Sequence, residues 1–315
     1  MNNWLITFKQ KKLKPSSYDR LVNVYKYHVK DTIGYIQLCN LTSKDIQTLI
    51  NEKAETMSYS SVKKIYEIIN DCLKYAVNEE MLRRNPIISV SLPARANMAV
   101  QKKDISIYSQ DEVDKLVDNI YNNTFTATKS LYRYSPAFIL ALNTGLRVGE
   151  LCALKWENVD MFNKFLRVNS SLSYVKTHNE NGVKRKSVFT DPKTNTSNRL
   201  IPLNQKSILA LEELQRRNKA QHIKSKYVVS DLKGGFVPQR NISRTLQNIC
   251  DYAGIEYKGI HAMRHTFATN LITKGVDVRT VSDLLGHHNI QTTLAIYAHS
   301  IQENKVKAIS SLDLL

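Results

Sequence analysis

The sequence predicts a mainly helical α+β protein of two domains, with a small antiparallel β-sheet in the second. Three observations carry that prediction. Glycine and proline together supply 17 of the 315 residues, against roughly 12% in an average chain, so helices are favoured over a sandwich of short strands. Apolar residues recur at three- and four-residue spacing through the first hundred positions, whereas an island from 165 to 203 holds short β-branched and aromatic runs. At roughly 100–200 residues per domain, the length fits two domains.

The elements follow in order. Ser16-Ser17 is a candidate N-cap for a helix over Tyr18–Val29, and Thr42-Ser43 precedes a short helix over Asp45–Lys53. Ser58–Ser61 opens the best periodic segment, with Val62, Ile65, Ile68, Ile69, Cys72, Leu73 and Ala76 on one face. Asn85-Pro86 closes this bundle, because proline biases its predecessor away from helix. The first domain is therefore placed at 1–93, and the basic text from 94 to 106 reads as an exposed linker. The second domain, 107–315, opens with a helix at Ser109–Glu112, whose acids suit the first turn. A buried helix over Ser135–Leu142 ends at Asn143-Thr144-Gly145. Strands are expected at Phe165–Val175, Lys186–Thr190 and Asn198–Leu203, with Asn181-Gly182 as a tight turn. Helices return at Gln205–Lys219, Ile242–Ala253, His261–Lys274, Asp277–Leu285 and Ile290–Tyr297.

Composition narrows the class. A hydrophobic content of 42% excludes wholesale disorder. The apolar run Ala137–Leu142 is far shorter than the ~18 residues of a membrane span, and the N-terminal text lacks a signal-peptide core. A cytoplasmic protein without a membrane partner is expected. The formal net charge is +17, from 45 Lys and Arg against 28 Asp and Glu, and the excess spans both domains. Charge on that scale points to a polyanion, above all nucleic acid. Four scattered cysteines offer neither a CxxC pair nor a disulfide framework, so reduced core thiols are expected.

Several residues could carry chemistry. His261 and Arg264 stand three apart on a helix and share a face, a pairing that suits an oxyanion but also an ordinary surface pair. Arg147, in the text TGLRVGEL, emerges at the edge of a core, where its charge needs Glu150 or an anion as partner. Lys193 sits between strands, either as a solvated turn residue or as a mobile donor. His287 follows Gly286, a good helix-terminating residue, and could simply cap that helix. Tyr297 could be core. Four histidines without cysteine or paired carboxylates at ligand spacing do not make a zinc site.

Taken in order, Arg, Lys, HxxR, GH and Tyr resemble the tyrosine recombinases, the phage lambda integrase-like family. The matching text is TGLRVGEL, DPKTNTSNRLIPL, HAMRHTFAT, LLGHHNIQTTLAIY and the closing Tyr-x-His. The likeness covers the second domain and, more loosely, the first. It is strongest to conjugative-transposon integrases. It implies that Tyr297 attacks a DNA phosphodiester, forms a 3′-phosphotyrosyl bond and releases a 5′-hydroxyl. Arg147 and Arg264 would clamp the non-bridging oxygens, Lys193 protonate the leaving oxygen, His261 handle a proton, His287 bond the phosphate and Glu150 support the arginines. A phenol of ordinary pKa near 10 needs help from nearby cations to attack at pH 7. The chemistry calls for no metal, ATP or other cofactor. The first domain would resemble the family's helical core-binding domain and close a C-shaped clamp on duplex DNA. Lys9, Lys11, Lys12, Lys14, Lys63, Lys64, Arg83 and Arg84 are its candidate phosphate contacts.

Two departures stand out. Thr177–Lys186 reads as an added hairpin for DNA or a neighbouring subunit, and no amino-terminal arm-binding domain is recognisable. The tail after Tyr297 spaces Val306, Ile309, Leu312 and Leu315 at threes, either as a helix on its own core or as a tether between subunits on DNA, from dimer to tetramer. An accessory excision factor is a further possible partner. A type IB topoisomerase, relaxing supercoils without strand exchange, and a non-enzymatic DNA-binding regulator are the competing readings. A plasmid with two target sites separates the enzymes, and the filled catalytic set argues against the regulator.

Overall fold

The computed structural model describes residues 1–100, 105–122, 133–179, 182–190, 198–297 and 309–310. The chain divides into two compact units. One holds Met1–Asp104 with Tyr174–Lys186, and the other holds Ile105–Ser173 with Ser187–Leu315.

The first unit is helical. A short α1 (Asn2–Trp4) runs into a π-helical turn at Leu5–Lys9. The expected helix at Tyr18 starts earlier, as α2 (Pro15–Val24), because Pro15 is pre-organised for the first helical position, and it widens into a second π-helical turn over Tyr25–Val29. Thr42 caps α3 (Ser43–Ala54) through a reciprocal box with Asp45, a device worth about 1 kcal/mol. Helix α4 (Tyr59–Asn78) buries Val62, Ile65, Ile68, Ile69, Leu73 and Ala76, so its 3/4 periodicity becomes one face against Ile46, Leu49 and Ile50 of α3. Asn85 then accepts from Ile87 N–H at 3.0 Å and turns the chain. Beyond it the expected exposed linker is pinned at one point. Met98 is buried in this core, Ala99 N–H donates to Ala54 O at 3.3 Å and Val100 bridges to Ser58. Met98 is the one large apolar side chain of this stretch that is buried in the first unit, and its burial suffices for that.

In the second unit, Ser109 and Glu112 exchange hydrogen bonds at the start of α5 (Gln110–Asn122). Helix α6 (Pro136–Thr144) is apolar on every side and buried on nearly every side. It packs between α8 (Gln205–Ala220) and α10 (Ile260–Thr273). At about 1.5–3 kcal/mol for each fully buried Phe, Ile or Leu, Phe138, Ile139 and Leu140 make it the anchor of this core. Short α7 (Val148–Ala153) follows. Strands β1 (Val159–Asp160), β2 (Phe165–Val168) and β5 (Arg199–Pro202) form an antiparallel sheet in the order β1-β2-β5, with Leu166 opposite Ile201.

The single strand expected over Phe165–Val175 is two. It breaks at Asn169-Ser170, where the Asn169 amide donates to Asn158 Oδ1 at 2.8 Å, and β3 (Ser171–Asn179) restarts to pair with β4 (Gly182–Thr190). The added hairpin is therefore present and longer than its text suggested, with its tip outside the described residues. Helix α9 (Gln239–Ala253) starts three residues before the expected Ile242. Helices α11 (Val278–Leu285) and α12 (Ile290–Ile296) end the described fold. Among the described residues no helix is long and apolar enough to cross a membrane. The expectation of core thiols holds for Cys152 and Cys250 but fails for exposed Cys39, whose thiol donates to Asn40 Oδ1 at 3.7 Å, and for half-buried Cys72.

Candidate active site

Helix α6 ends at Gly145, whose φ of 63° places it in the left-handed region; a Cβ there would lie 2.5 Å from Phe267 Cδ1. The chain then turns so that Arg147 stands directly before α7. Glu150, three residues on, accepts from Arg147 N–H at 2.8 Å and from its guanidinium at 2.8 Å. Gly149 lets this turn approach β3, since a Cβ would meet Ser171 Oγ at 2.5 Å and Leu172 O at 2.7 Å. TGLRVGEL is thus a tightly packed corner that projects one arginine, side chain about one-third exposed, over a buried carboxylate.

Glu150 has a second partner that no motif in the sequence singles out. Arg199, at the start of β5 and 8% exposed, grips both carboxylate oxygens, at 3.1 and 2.9 Å. Burial would raise the Glu150 pKa, but the Arg199 hydrogen bonds and the charges of Arg199 and Arg147 hold it down at about 2.

The C-terminus of α11 gathers the arginines. Gly286 ends that helix in the left-handed conformation and frees its last carbonyls. Leu284 O accepts from Arg199 Nε at 2.7 Å, Leu285 O from Arg264 at 2.6 Å and Gly286 O from Arg147 at 3.3 Å. Three consecutive acceptors at the negative end of a helix dipole therefore each take a different guanidinium. Arg264 is fully buried and donates also to Gly145 O at 2.7 Å. Burial and the charge of Arg147 lower its pKa to about 9, so it keeps its charge at neutral pH.

The histidines line the same cluster. His261 begins α10 and reaches solvent, while desolvation, Arg264 and Arg147 lower its pKa. His287 is half-buried and its Nδ1 lies 2.8 Å from Thr293 Oγ1 of α12. Burial followed by the charges of Arg264, Arg147 and Arg199 brings its pKa to about 4, so it is neutral at pH 7. Tyr297 closes α12 with its ring among Phe267, Ala268, Ile272, Val281 and Leu285, and its hydroxyl 2.9 Å from His265 Nδ1. Burial pushes its pKa up to about 12, against a smaller downward pull from Arg264. The assistance expected for the phenol is outweighed here by desolvation.

The structure thus brings Arg147, Glu150, His261, Arg264, His287 and Tyr297 around one turn, and adds Arg199 and His265. Lys193 lies outside the described residues. Among the described residues no three His, Cys, Asp or Glu side chains converge as metal ligands. Of the first unit's basic residues, Lys11, Lys12, Lys14, Lys63, Lys64, Arg83 and Arg84 are exposed. Lys9 is instead half-buried, bonded to Asp71 at 3.1 Å and held over the Trp4 ring. Fixed cations beside a phenol, a neutral imidazole and a buried carboxylate can hold a phosphodiester and stabilise charge growing on its oxygens.

Residues 107–304 match the Phage integrase family, and residues 1–54 match its N-terminal SAM-like domain. The chain is 30% identical to a XerC-like tyrosine recombinase of Caldanaerobacter subterraneus, covering 99% of this chain and 81% of that protein. It is 25% identical to the ICEBs1 integrase of Bacillus subtilis, covering 95% and 78%. Its fold is similar to that of the Tn1549 transposon integrase in complex with transposon right end DNA, with a TM-score of 0.74, 19% identity and 96% of each chain covered. A lambda integrase dimer bound to a core site matches with a TM-score of 0.66 at 17% identity, covering 94% of this chain and 75% of that one. On this evidence the chain belongs to the phage integrase family and is a tyrosine recombinase.

Proposed function

We propose that this recombinase cuts and rejoins duplex DNA at specific core sites through a Tyr297 3′-phosphotyrosyl intermediate, and that it integrates or excises a mobile element. The observation that carries the reading is the single turn 284–286, which holds Arg147 and Arg264 together, with the Arg264 charge acting on the Tyr297 hydroxyl. In this reading the two arginines clamp the non-bridging phosphate oxygens, where one lost donor costs on the order of 10²–10³ in rate. His287 bonds the phosphate, His261 handles a proton, Lys193 protonates the departing 5′-oxygen and Glu150 keeps Arg147 in place. The covalent bond conserves the phosphodiester energy, so no ATP enters the cycle.

The basic charge of both units supports a DNA partner. The exposed cations of the first unit, and the basic stretch beyond it, would hold the duplex on phosphates. The mobile-element assignment draws on the ICEBs1 and Tn1549 integrases. Assembly on DNA, from dimer to tetramer, would run through the tail after Tyr297, with an accessory excision factor setting direction and the cytoplasm as the place of work. The test uses duplexes enriched by this chain from a random-sequence library, rebuilt with nicks at successive positions so that a cleaved strand escapes and traps the adduct. Wild-type protein forms a covalent adduct, and Tyr297→Phe forms none while still binding. An adduct that survives Tyr297→Phe, or none with the wild type, overturns the reading.

A further inference from the structure

Resting on the reading of Tyr297 as the attacking group, the geometry around it also assigns its proton. The Tyr297 hydroxyl has one close polar neighbour among the described residues, Nδ1 of His265 at 2.9 Å, with ring centroids 5.9 Å apart and planes at 59°. His265 stands next to Arg264 and one turn after His261 on α10, so these three side chains share one face of the helix. Its ring lies edge-on to His261 at 5.3 Å. The charged and titratable groups facing it are His261 and Arg264 from its own helix, His287 from the turn after α11 and Tyr297 from the end of α12.

We propose that His265, and not His261, is the base that removes the Tyr297 proton, which leaves His261 to contact the phosphate. In this assignment Nε2 carries the resting proton and Nδ1 accepts the phenol O–H. As the Tyr297 oxygen bonds to phosphorus, the bond from phosphorus to the 5′-oxygen breaks. The phenolic proton moves to His265 Nδ1, and the departing oxygen takes its proton from Lys193. On rejoining, a 5′-hydroxyl attacks, the bond from tyrosine to phosphorus breaks, and His265 returns its proton to the phenol. Burial, His261 and Arg264 bring the resting His265 pKa to about 4, so the imidazole is neutral and its lone pair free at pH 7. An incoming phosphodiester brings negative charge beside Arg264, which offsets the repulsion and raises the basicity of His265 when the proton must move.

The adduct assay with nicked, enriched duplexes tests this. His265→Gln keeps a hydrogen-bond acceptor but cannot take the proton. It is expected to bind DNA normally and to form adduct about 10²–10⁴-fold more slowly. Fluorotyrosine at position 297, which ionises more easily, should recover part of that loss in His265→Gln and change the wild type less. Sulfur in place of the bridging 5′-oxygen removes the need for an acid, so it should rescue Lys193→Ala but not His265→Gln. A near-wild-type rate for His265→Gln, equal effects of fluorotyrosine in both proteins, or rescue of His265→Gln by sulfur overturns the assignment. Absence of adduct with the wild type instead overturns the reading it rests on.

Discussion

Replacing Arg199 by methionine removes one side of the buried ion cluster and leaves Glu150 with Arg147 alone. Glu150 is 6% exposed, so water cannot take over the two lost bonds. Breaking a buried pair from one side typically costs about 3–5 kcal/mol. The depressed Glu150 pKa gives a second figure. Holding the carboxyl at about 2 rather than the ordinary 4.5 corresponds to about 3 kcal/mol, at 1.36 kcal/mol per pH unit. Because the folded pKa is the lower one, that stability is complete above pH 4.5 and drains away as pH falls toward 2. The two tryptophans fall one to each unit, Trp4 and Trp156, so a Trp4→Phe background lets fluorescence follow the second unit alone. In urea at pH 7, Arg199→Met should lose about 3 kcal/mol, or about 6–12 °C in Tm. Glu150→Gln should also flatten the loss of stability between pH 4.5 and 2. A stability within about 0.5 kcal/mol of wild type for Arg199→Met, or an unchanged acid limb for Glu150→Gln, refutes the cluster as described.

Gly145→Ala forces a side chain into a left-handed φ and against Phe267, so it should cost about 2–5 kcal/mol by thermal unfolding; it should also slow adduct formation, because Gly145 O holds Arg264. Deleting residues 177–186 should spare adduct formation on a single site but reduce joint-molecule formation on gels, and undiminished strand exchange refutes a bracing role for the hairpin. Removing residues 303–315 should lower the mass of the complex on DNA in native electrophoresis, and a complex of normal size refutes the tether.

Much of this was legible in the sequence for identifiable reasons. Helix α6 shows because an apolar run between a proline and a left-handed glycine has one reading. His261 and Arg264 show because a three-residue spacing is conserved by the helix whatever surrounds it. Arg199 does not show. Its carboxylate partner lies 49 positions away, and within NRLIPL it reads as a strand residue. His265 was hidden by its neighbour, since the text around Arg264 already supplied a histidine for the phosphate, and only the fold brings Tyr297 to it across 32 residues. The strand break at Asn169 depends on an amide pairing with Asn158, which alternation cannot encode. The depth of Tyr297 is likewise a tertiary property, because its ring packs on residues from α10 and α11.

The acceptors for the three guanidinium groups are peptide carbonyls at 284, 285 and 286. No single side-chain replacement at those positions can delete them. A substitution in the turn can therefore remove these acceptors only by changing the path of the chain; Glu150 would still hold Arg147 and Arg199, and Gly145 O would still hold Arg264. Such a centre resists point substitution, and what it depends on is the path of the backbone at the end of α11, where one shift would lengthen three contacts at once.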